Sequence, residues 1–235
     1  PQRDIPAPDV NTSPKVMAWF MDEYGKRHGH TPSVVTGKPV ELGGCPEREA
    51  ATGRGVVIVA SEACKDLGMP LKGARVVIQG FGNVGSNTAY LIEEAGAKVV
   101  AVSDVNGGIH NPKGMHVGRV GSYLKEKGTL KGFPGAANVT NEELLVLDCD
   151  ILIPAAMEGV LHAGNASQVK AKLVIEAANG PTVTEADEIF AKRGIPVVPD
   201  ILANAGGVTV SYFEWVQGLQ EYFWTEEEVN IKLKG

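Results

Sequence analysis

The hexapeptide Gly80-Phe81-Gly82-Asn83-Val84-Gly85 stands directly between an apolar run, Ala74 to Gln79, and a segment, Asn83 to Ala95, with helical spacing of its apolar residues. A G-x-G-x-x-G pattern that closes a strand and opens a helix admits few folds. The first glycine permits the tight turn, the second leaves room for a pyrophosphate against the backbone, and the third lets helix pack closely on strand. The helix N-terminus then offers unpaired N–H groups and a partial positive charge to phosphates. The context therefore favours dinucleotide binding at Gly80, Phe81, Gly82, Asn83 and Val84 over a Gly-rich turn that binds nothing.

The rest of the chain repeats the alternation. Lys98 to Ser103 is a Val-rich strand, and after a Gly-rich turn at Asn106 to Gly108 a helix is expected from His116 to Lys127. Thr140 and Glu143 make a capping box before Leu144 to Leu147. Strands follow at Asp150 to Pro154, Leu173 to Glu176 and Pro196 to Val198, with a short helix capped by Thr184 and ended before Gly194. Val208 to Phe223 reads as a long apolar helix, and Thr225 with Glu228 caps another. Ahead of the motif, Ser13 and Pro14 open a helix, Thr31 to Gly44 is loop, and Val56, Ala60, Cys64 and Leu67 trace a helix face ending at Gly68. The expected fold class is α/β: a doubly wound, mostly parallel Rossmann-like sheet with helices on both faces.

Composition narrows the function. With 22 basic and 28 acidic residues among 235, the net charge of -6 gives no electrostatic reason to bind nucleic acid or an anionic membrane. No apolar run approaches the roughly 18 residues of a membrane span. Cys45, Cys64 and Cys149 form no C-x-x-C pair and fit reduced, buried thiols of a cytoplasmic protein. His28, His30, His110, His116 and His162 have no metal-ligand spacing, so no metal is expected. The aromatics Tyr212, Phe213, Trp215, Tyr222, Phe223 and Trp224 are expected to pack the last helices rather than stack on bases. A small molecule or another protein is the expected partner.

Asp104 ends the second strand, where an acidic side chain can accept hydrogen bonds from the adenosine ribose. That favours NAD as cofactor. NADP stays possible, because Lys113 or Arg119 could receive a 2′-phosphate and a strand-end Asp is also a common turn former.

Six separated segments carry a resemblance. Asp4 to Asp9 with Asn11-Thr12, Arg48 with Ala51 to Gly55, Gly80 to Gly85, Asp150 to Ala156, Glu176 to Thr182, and Asn204 to Val208 with Ser211 together resemble the glutamate dehydrogenases of the amino-acid dehydrogenase superfamily. The resemblance implies reversible NAD(P)-dependent oxidative deamination of L-glutamate to 2-oxoglutarate and ammonia. It implies that Asp9 shuttles protons at the amino nitrogen and that Thr52 binds the nicotinamide carboxamide. Ala155, Ala156 and Asn179 would line the nicotinamide ribose, with Asn204 nearby at the end of a strand, and Ser211 would hydrogen-bond the distal carboxylate. Read without the resemblance, Asp9 is a turn residue after proline, Thr52 a helix hydroxyl, Asn179 and Asn204 turn residues, and Ser211 a small packing residue. The family often has Ser, then Gly before Arg, where Cys45, Pro46 and Glu47 precede Arg48 here.

The family's lysine-bearing, glycine-rich stretch has no counterpart in this sequence, and the chain reads as an excerpt. The expected organisation is the end of a substrate domain and connecting segment over 1–45, a dinucleotide-binding domain over 46–224, and the start of a returning helix over 225–235. Such a chain alone is expected to be inactive, while the full-length enzyme forms a homo-oligomer, hexameric as in the family. A free-standing dinucleotide-binding regulatory module and another amino-acid dehydrogenase are the alternatives.

Overall fold

The apolar runs become strands whose successive residues face opposite sides of one sheet, as the period of two requires. In the computed structural model, which describes residues 2–9 and 11–235, seven strands lie in the order β4-β3-β2-β1-β5-β6-β7. They are β1 Arg75–Gln79, β2 Lys98–Asp104, β3 Gly107–His110, β4 Ala137–Val139, β5 Ile151–Pro154, β6 Leu173–Ile175 and β7 Val197–Val198. The run β2-β1-β5-β6-β7 is parallel, while β3 and β4 add on antiparallel at one edge.

Val76, Ile78, Ile151, Ile153, Leu173 and Ile175 pack into one core cluster. It includes Val56 and Ala60 of helix α2 (Ala51–Asp66), Ala89 and Ile92 of α3 (Asn83–Glu94), and Val117 and Val120 of α4 (Val117–Lys127). Val77, Leu152 and Val174 point the other way, into a second cluster with Leu144 and Leu145 of α5 (Asn141–Leu145) and Phe190 of α6 (Thr184–Arg193). Apolar clusters on both faces give the doubly wound architecture.

Three local readings change. The Gly-rich segment after β2 turns at once into β3, with Asp104 paired to Gly107. Gly108 leaves no space for a Cβ, which would stand 2.8 Å from Leu144 Cδ1. The helix α6 begins at Thr184 with Val183 as its N-cap, so Thr184 lies inside the helix rather than capping it. Asn204 follows a one-turn helix, α7 (Asp200–Ala203), and is its C-cap rather than a strand end. The capping boxes Thr140–Glu143 and Thr225–Glu228 both form as expected.

The chain forms two compact units, Thr52–Ala205 and Pro1–Ala51 with Gly206–Gly235. The sheet belongs to the first. The second contains α1 (Pro14–His28), α8 (Gly206–Gln220) and α9 (Glu226–Lys234). The sequence places α8 within the 46–224 stretch; in the structure it groups with the N-terminal segment. The reason is close packing: Gly218 lies where a Cβ would stand 3.1 Å from the Ser33 backbone, and Glu214 of α8 accepts the Gly37 N–H at 3.0 Å. In the same unit, Met17 of α1 packs with Val34 and Val35.

Candidate functional site

The strand order reverses between β1 and β5, and the Gly80–Gly85 loop leaves β1 beside Ala155 and Ala156, which leave β5. Ligands of open α/β sheets bind at the carboxyl ends of strands at such a switch point. Gly80 has φ +95°, which a side chain disfavours, and its N–H donates to Ser103 Oγ at 3.1 Å. A Cβ on Gly80 would stand 2.9 Å from the Ala155 carbonyl oxygen, and one on Gly85 would strike the Gly80 carbonyl. Gly82 is different. Its φ of -76° suits any residue, it is exposed, and a Cβ there would meet nothing within 4 Å.

The first intrahelical bond of α3 runs from the Ser86 N–H to the Gly82 carbonyl, at 2.9 Å. The amides before Ser86 thus open the helix end without an intrahelical acceptor. Asn83 is exposed there and accepts from Asn87 Nδ2 through both its carbonyl and its Oδ1, at 2.8 and 2.9 Å. Phe81 is buried, 6.5 Å from the Tyr90 ring, and Val84 packs on the core, so both can offer a ligand only their backbones. Gly53, beside Thr52, packs against α3, where a Cβ would stand 2.8 Å from the Thr88 nitrogen. This holds the half-buried Thr52 at the start of α2.

At the end of β2, Asp104 Oδ1 accepts the Asn106 N–H at 2.6 Å and Oδ2 accepts the Leu130 N–H at 2.7 Å. The carboxylate is therefore fixed in orientation, with one backbone donor on each oxygen and a further lone pair on each. Lys131, next to Leu130, lines a concavity of 370 Å³ with Asn106, Asn138 and Thr140. It was not singled out from sequence, because it reaches the end of β2 only in the folded chain.

The other candidate positions, Ala155, Ala156, Asn179 and Asn204, lie on segments linked through a chain of hydrogen bonds. Asn204 Nδ2 donates to Asn179 Oδ1 at 2.7 Å across 25 residues of sequence. The Gly180 N–H donates to Asp200 Oδ2 at 2.7 Å, and the Asp200 N–H donates to Glu176 Oε2 at 2.9 Å. Glu176 is buried, and that burial raises its pKa above the ordinary carboxylate value. The Ala177 and Ala178 amides both donate to the Pro154 carbonyl, at 3.0 and 2.9 Å. The segments after β5 and β6 are thereby tied together. They carry small residues, half-buried Ala155 and exposed Ala156, beside two amide side chains.

A second constellation lies in the unit containing α8. Asp9 uses its backbone in a turn, donating its N–H to Thr12 Oγ1 at 2.6 Å and accepting from the Thr12 hydroxyl at 2.8 Å, while its side chain is exposed. The arm that carries it is docked on the segment Thr36 to Lys38. The Thr36 N–H donates to the Pro6 carbonyl at 3.0 Å, and the Pro8 ring occupies the space a Cβ of Gly37 would need. Thr36 Oγ1 lies 2.6 Å from Ser211 Oγ. Thr36 was not singled out from sequence, since its link to Ser211 spans 175 residues.

Among the described residues, no group of three or more His, Cys, Asp or Glu is placed to hold a metal ion. Cys64 and Cys149 are buried, and burial pushes the Cys149 thiol up to about 12.

Residues 43–235 match the family model for Glutamate/Leucine/Phenylalanine/Valine dehydrogenase. The whole chain is 61% identical to a glutamate dehydrogenase of Thermotoga maritima, of which it covers 57%. A hetero-hexameric glutamate dehydrogenase from Thermus thermophilus, solved in a leucine-bound form, superposes with a TM-score of 0.91 at 41% identity; the match covers 98% of this chain and 55% of that one. The glutamate dehydrogenase of Peptoniphilus asaccharolyticus gives 0.84 at 42% identity, over 98% and 55%. The chain thus spans little more than half the length of these relatives.

Proposed function

The chain belongs to the Glutamate/Leucine/Phenylalanine/Valine dehydrogenase family, and on that premise we propose that it is the cofactor-binding portion of a glutamate dehydrogenase. Its proposed reaction is the reversible oxidative deamination of L-glutamate to 2-oxoglutarate and ammonia. The observation that carries the cofactor reading is Gly82: neither its backbone angles nor its neighbours require a glycine, so what a Cβ would obstruct is a ligand.

Residues at the switch point fit a nicotinamide dinucleotide. The amides of the Gly80–Gly85 loop would hold the pyrophosphate, Asp104 the adenosine ribose, and Thr52, Ala155, Ala156, Asn179 and Asn204 the nicotinamide ribose and carboxamide. The bound nicotinamide supplies hydride acceptance and return. NAD is the proposed cofactor, because a carboxylate fixed at the end of β2 suits two ribose hydroxyls better than a phosphate; dissociation constants for NAD and NADP test this, and tighter NADP binding refutes it.

The protein's own steps concern protons and position. Asp9 accepts a proton from the substrate ammonium and returns protons as water adds to the imine and ammonia leaves. Ser211, with Thr36 against it, donates to the distal carboxylate. A site whose hydroxyls are satisfied by a carboxylate rejects apolar side chains, which would leave them unpaired. The catalytic lysine of the family is supplied by none of these residues, so the isolated chain binds dinucleotide without turning glutamate over.

The full-length protein is proposed to assemble from copies of itself and to work in the cytoplasm; no helix among the described residues is long and apolar enough to cross a membrane. The deciding experiment is Asp9→Asn in the full-length gene product. Turnover of glutamate is expected to fall by about a hundredfold or more with dinucleotide affinity retained. Near-normal turnover would remove Asp9 from the mechanism.

A further inference from the structure

Lys38 and Glu214 are fully buried, each with a side chain 0% exposed, and Nζ lies 2.6 Å from Oε1. The same carboxylate accepts the Gly37 N–H at 3.0 Å and the Lys38 N–H at 3.4 Å, while Nζ also donates to the Val35 carbonyl at 3.2 Å. A buried ion pair is commonly no more stabilising than apolar side chains of the same volume, so stability alone is a weak account of it. Its location is more telling. Glu214 follows Ser211 by three positions on α8, which puts both on one face a single turn apart, and Lys38 follows Thr36 by two. The pair therefore joins the same two segments, Thr36 to Lys38 and α8, that bring the two hydroxyls together.

We propose that Lys38 and Glu214 are positioning residues that set specificity for the substrate's distal carboxylate. The proposal rests on the reading of Ser211 as the ligand of that carboxylate. The pair acts in two ways. Glu214, through the Gly37 and Lys38 amides, clamps the Thr36 segment onto α8, so that the Thr36 hydroxyl sits on Ser211 Oγ; when Thr36 donates, the Ser211 proton is left to point at the substrate. Lys38 also cancels a buried negative charge one helical turn from the hydroxyl that must receive an anion. Without that cancellation the site would repel the carboxylate it is built to bind.

The test compares L-glutamate with L-norvaline, which has the same chain length but ends in a methyl group, in the full-length gene product. Lys38→Met leaves surplus negative charge, Glu214→Gln leaves surplus positive charge, and the double variant restores neutrality. The ratio of the glutamate KM to the norvaline KM is expected to rise about tenfold or more in Lys38→Met, to fall below the parental value in Glu214→Gln, and to return within about threefold in the double variant. In each case kcat for glutamate should change less than KM. A purely structural role would shift both substrates together and leave the ratio fixed; an unchanged ratio, or the same direction in both single variants, overturns the proposal. Should Lys38→Met fail to fold, Glu214→Gln and the double variant still give the sign of the effect. A parental protein that does not oxidise glutamate would instead remove the functional reading on which the proposal stands.

Discussion

Replacing Gly82 by alanine separates what the fold requires from what the ligand requires. The residue has φ -76° and ψ -161°, an extended N-cap conformation open to any L-residue, and a Cβ would meet nothing within 4 Å. An alanine N-cap costs about 0.5–1 kcal/mol relative to a good cap, while the less flexible unfolded chain returns about 0.4–1 kcal/mol. The two effects nearly cancel, so the melting temperature should move by no more than about 2 °C. Binding should change far more. Holding the pyrophosphate off the loop forfeits at least one charge-assisted hydrogen bond, about 1.5–3 kcal/mol, or roughly tenfold to a hundredfold in Kd. Gly85→Ala is the converse case: its Cβ would strike the Gly80 carbonyl and lie 2.8 Å from the Gly80 carbonyl carbon. That overpacking costs about 1–3 kcal/mol and lowers Tm by roughly 2–10 °C. Calorimetric melting and NAD titration of the two variants decide the matter. A Gly82→Ala variant that binds NAD like the parent, or that is destabilised as much as Gly85→Ala, would contradict a ligand-imposed role for Gly82.

Ser103→Ala removes the acceptor for the Gly80 N–H and should cost about 1–3 kcal/mol in urea unfolding while weakening NAD binding; unchanged values in both would show that the bond does not hold the loop. Asp150 carries a pH signature. Burial is the largest single influence and raises its pKa, but the Arg75 backbone N–H, the Lys172 ammonium and the Arg75 guanidinium together outweigh it and hold the pKa down to about 2, from 3.8. A depressed carboxylate pKa stabilises the fold above the unfolded value, and that stability is lost as pH falls through the folded one. With Arg75 and Lys172 partly in solvent, the contribution is discounted to about 1–2 kcal/mol. Asp150→Asn should therefore be less stable than the parent at neutral pH, with the gap closing as pH falls from about 4 toward 2; a gap independent of pH contradicts the assignment. Cys64 and Cys149, buried and with thiol pKa values raised by that burial, should resist a maleimide at neutral pH in the native protein and react after denaturation. Labelling of either in the native state would show that it is reachable by solvent.

The central strands were legible because each is an apolar run buried on both faces, as Ile151-Leu152-Ile153 shows. The capping boxes were legible because their chemistry is local. The antiparallel strands β3 and β4 were not: Gly107-Gly108-Ile109-His110 carries one large apolar residue, and Ala137-Asn138-Val139 has none fully buried, so neither has a period to read. At α6 two threonines flank Val183, and sequence alone could not settle which position begins the helix. Of the candidate positions, the glycine loop stood out by its spacing, whereas the hydrogen bond between Asn204 and Asn179 could not be read from sequence, because the two lie 25 residues apart. Thr36, Lys38 and Glu214 stayed hidden because their partners lie 175 to 177 residues away, where only the folded chain connects them.

Steady-state oxidation of L-glutamate and L-leucine by the full-length gene product, followed through the absorbance of reduced nicotinamide, tests the functional assignment most directly. Glutamate-dependent reduction of NAD is expected, with kcat/KM for glutamate exceeding that for leucine by about a hundredfold or more. Absence of dinucleotide reduction with glutamate, or leucine oxidised as efficiently, would contradict that assignment.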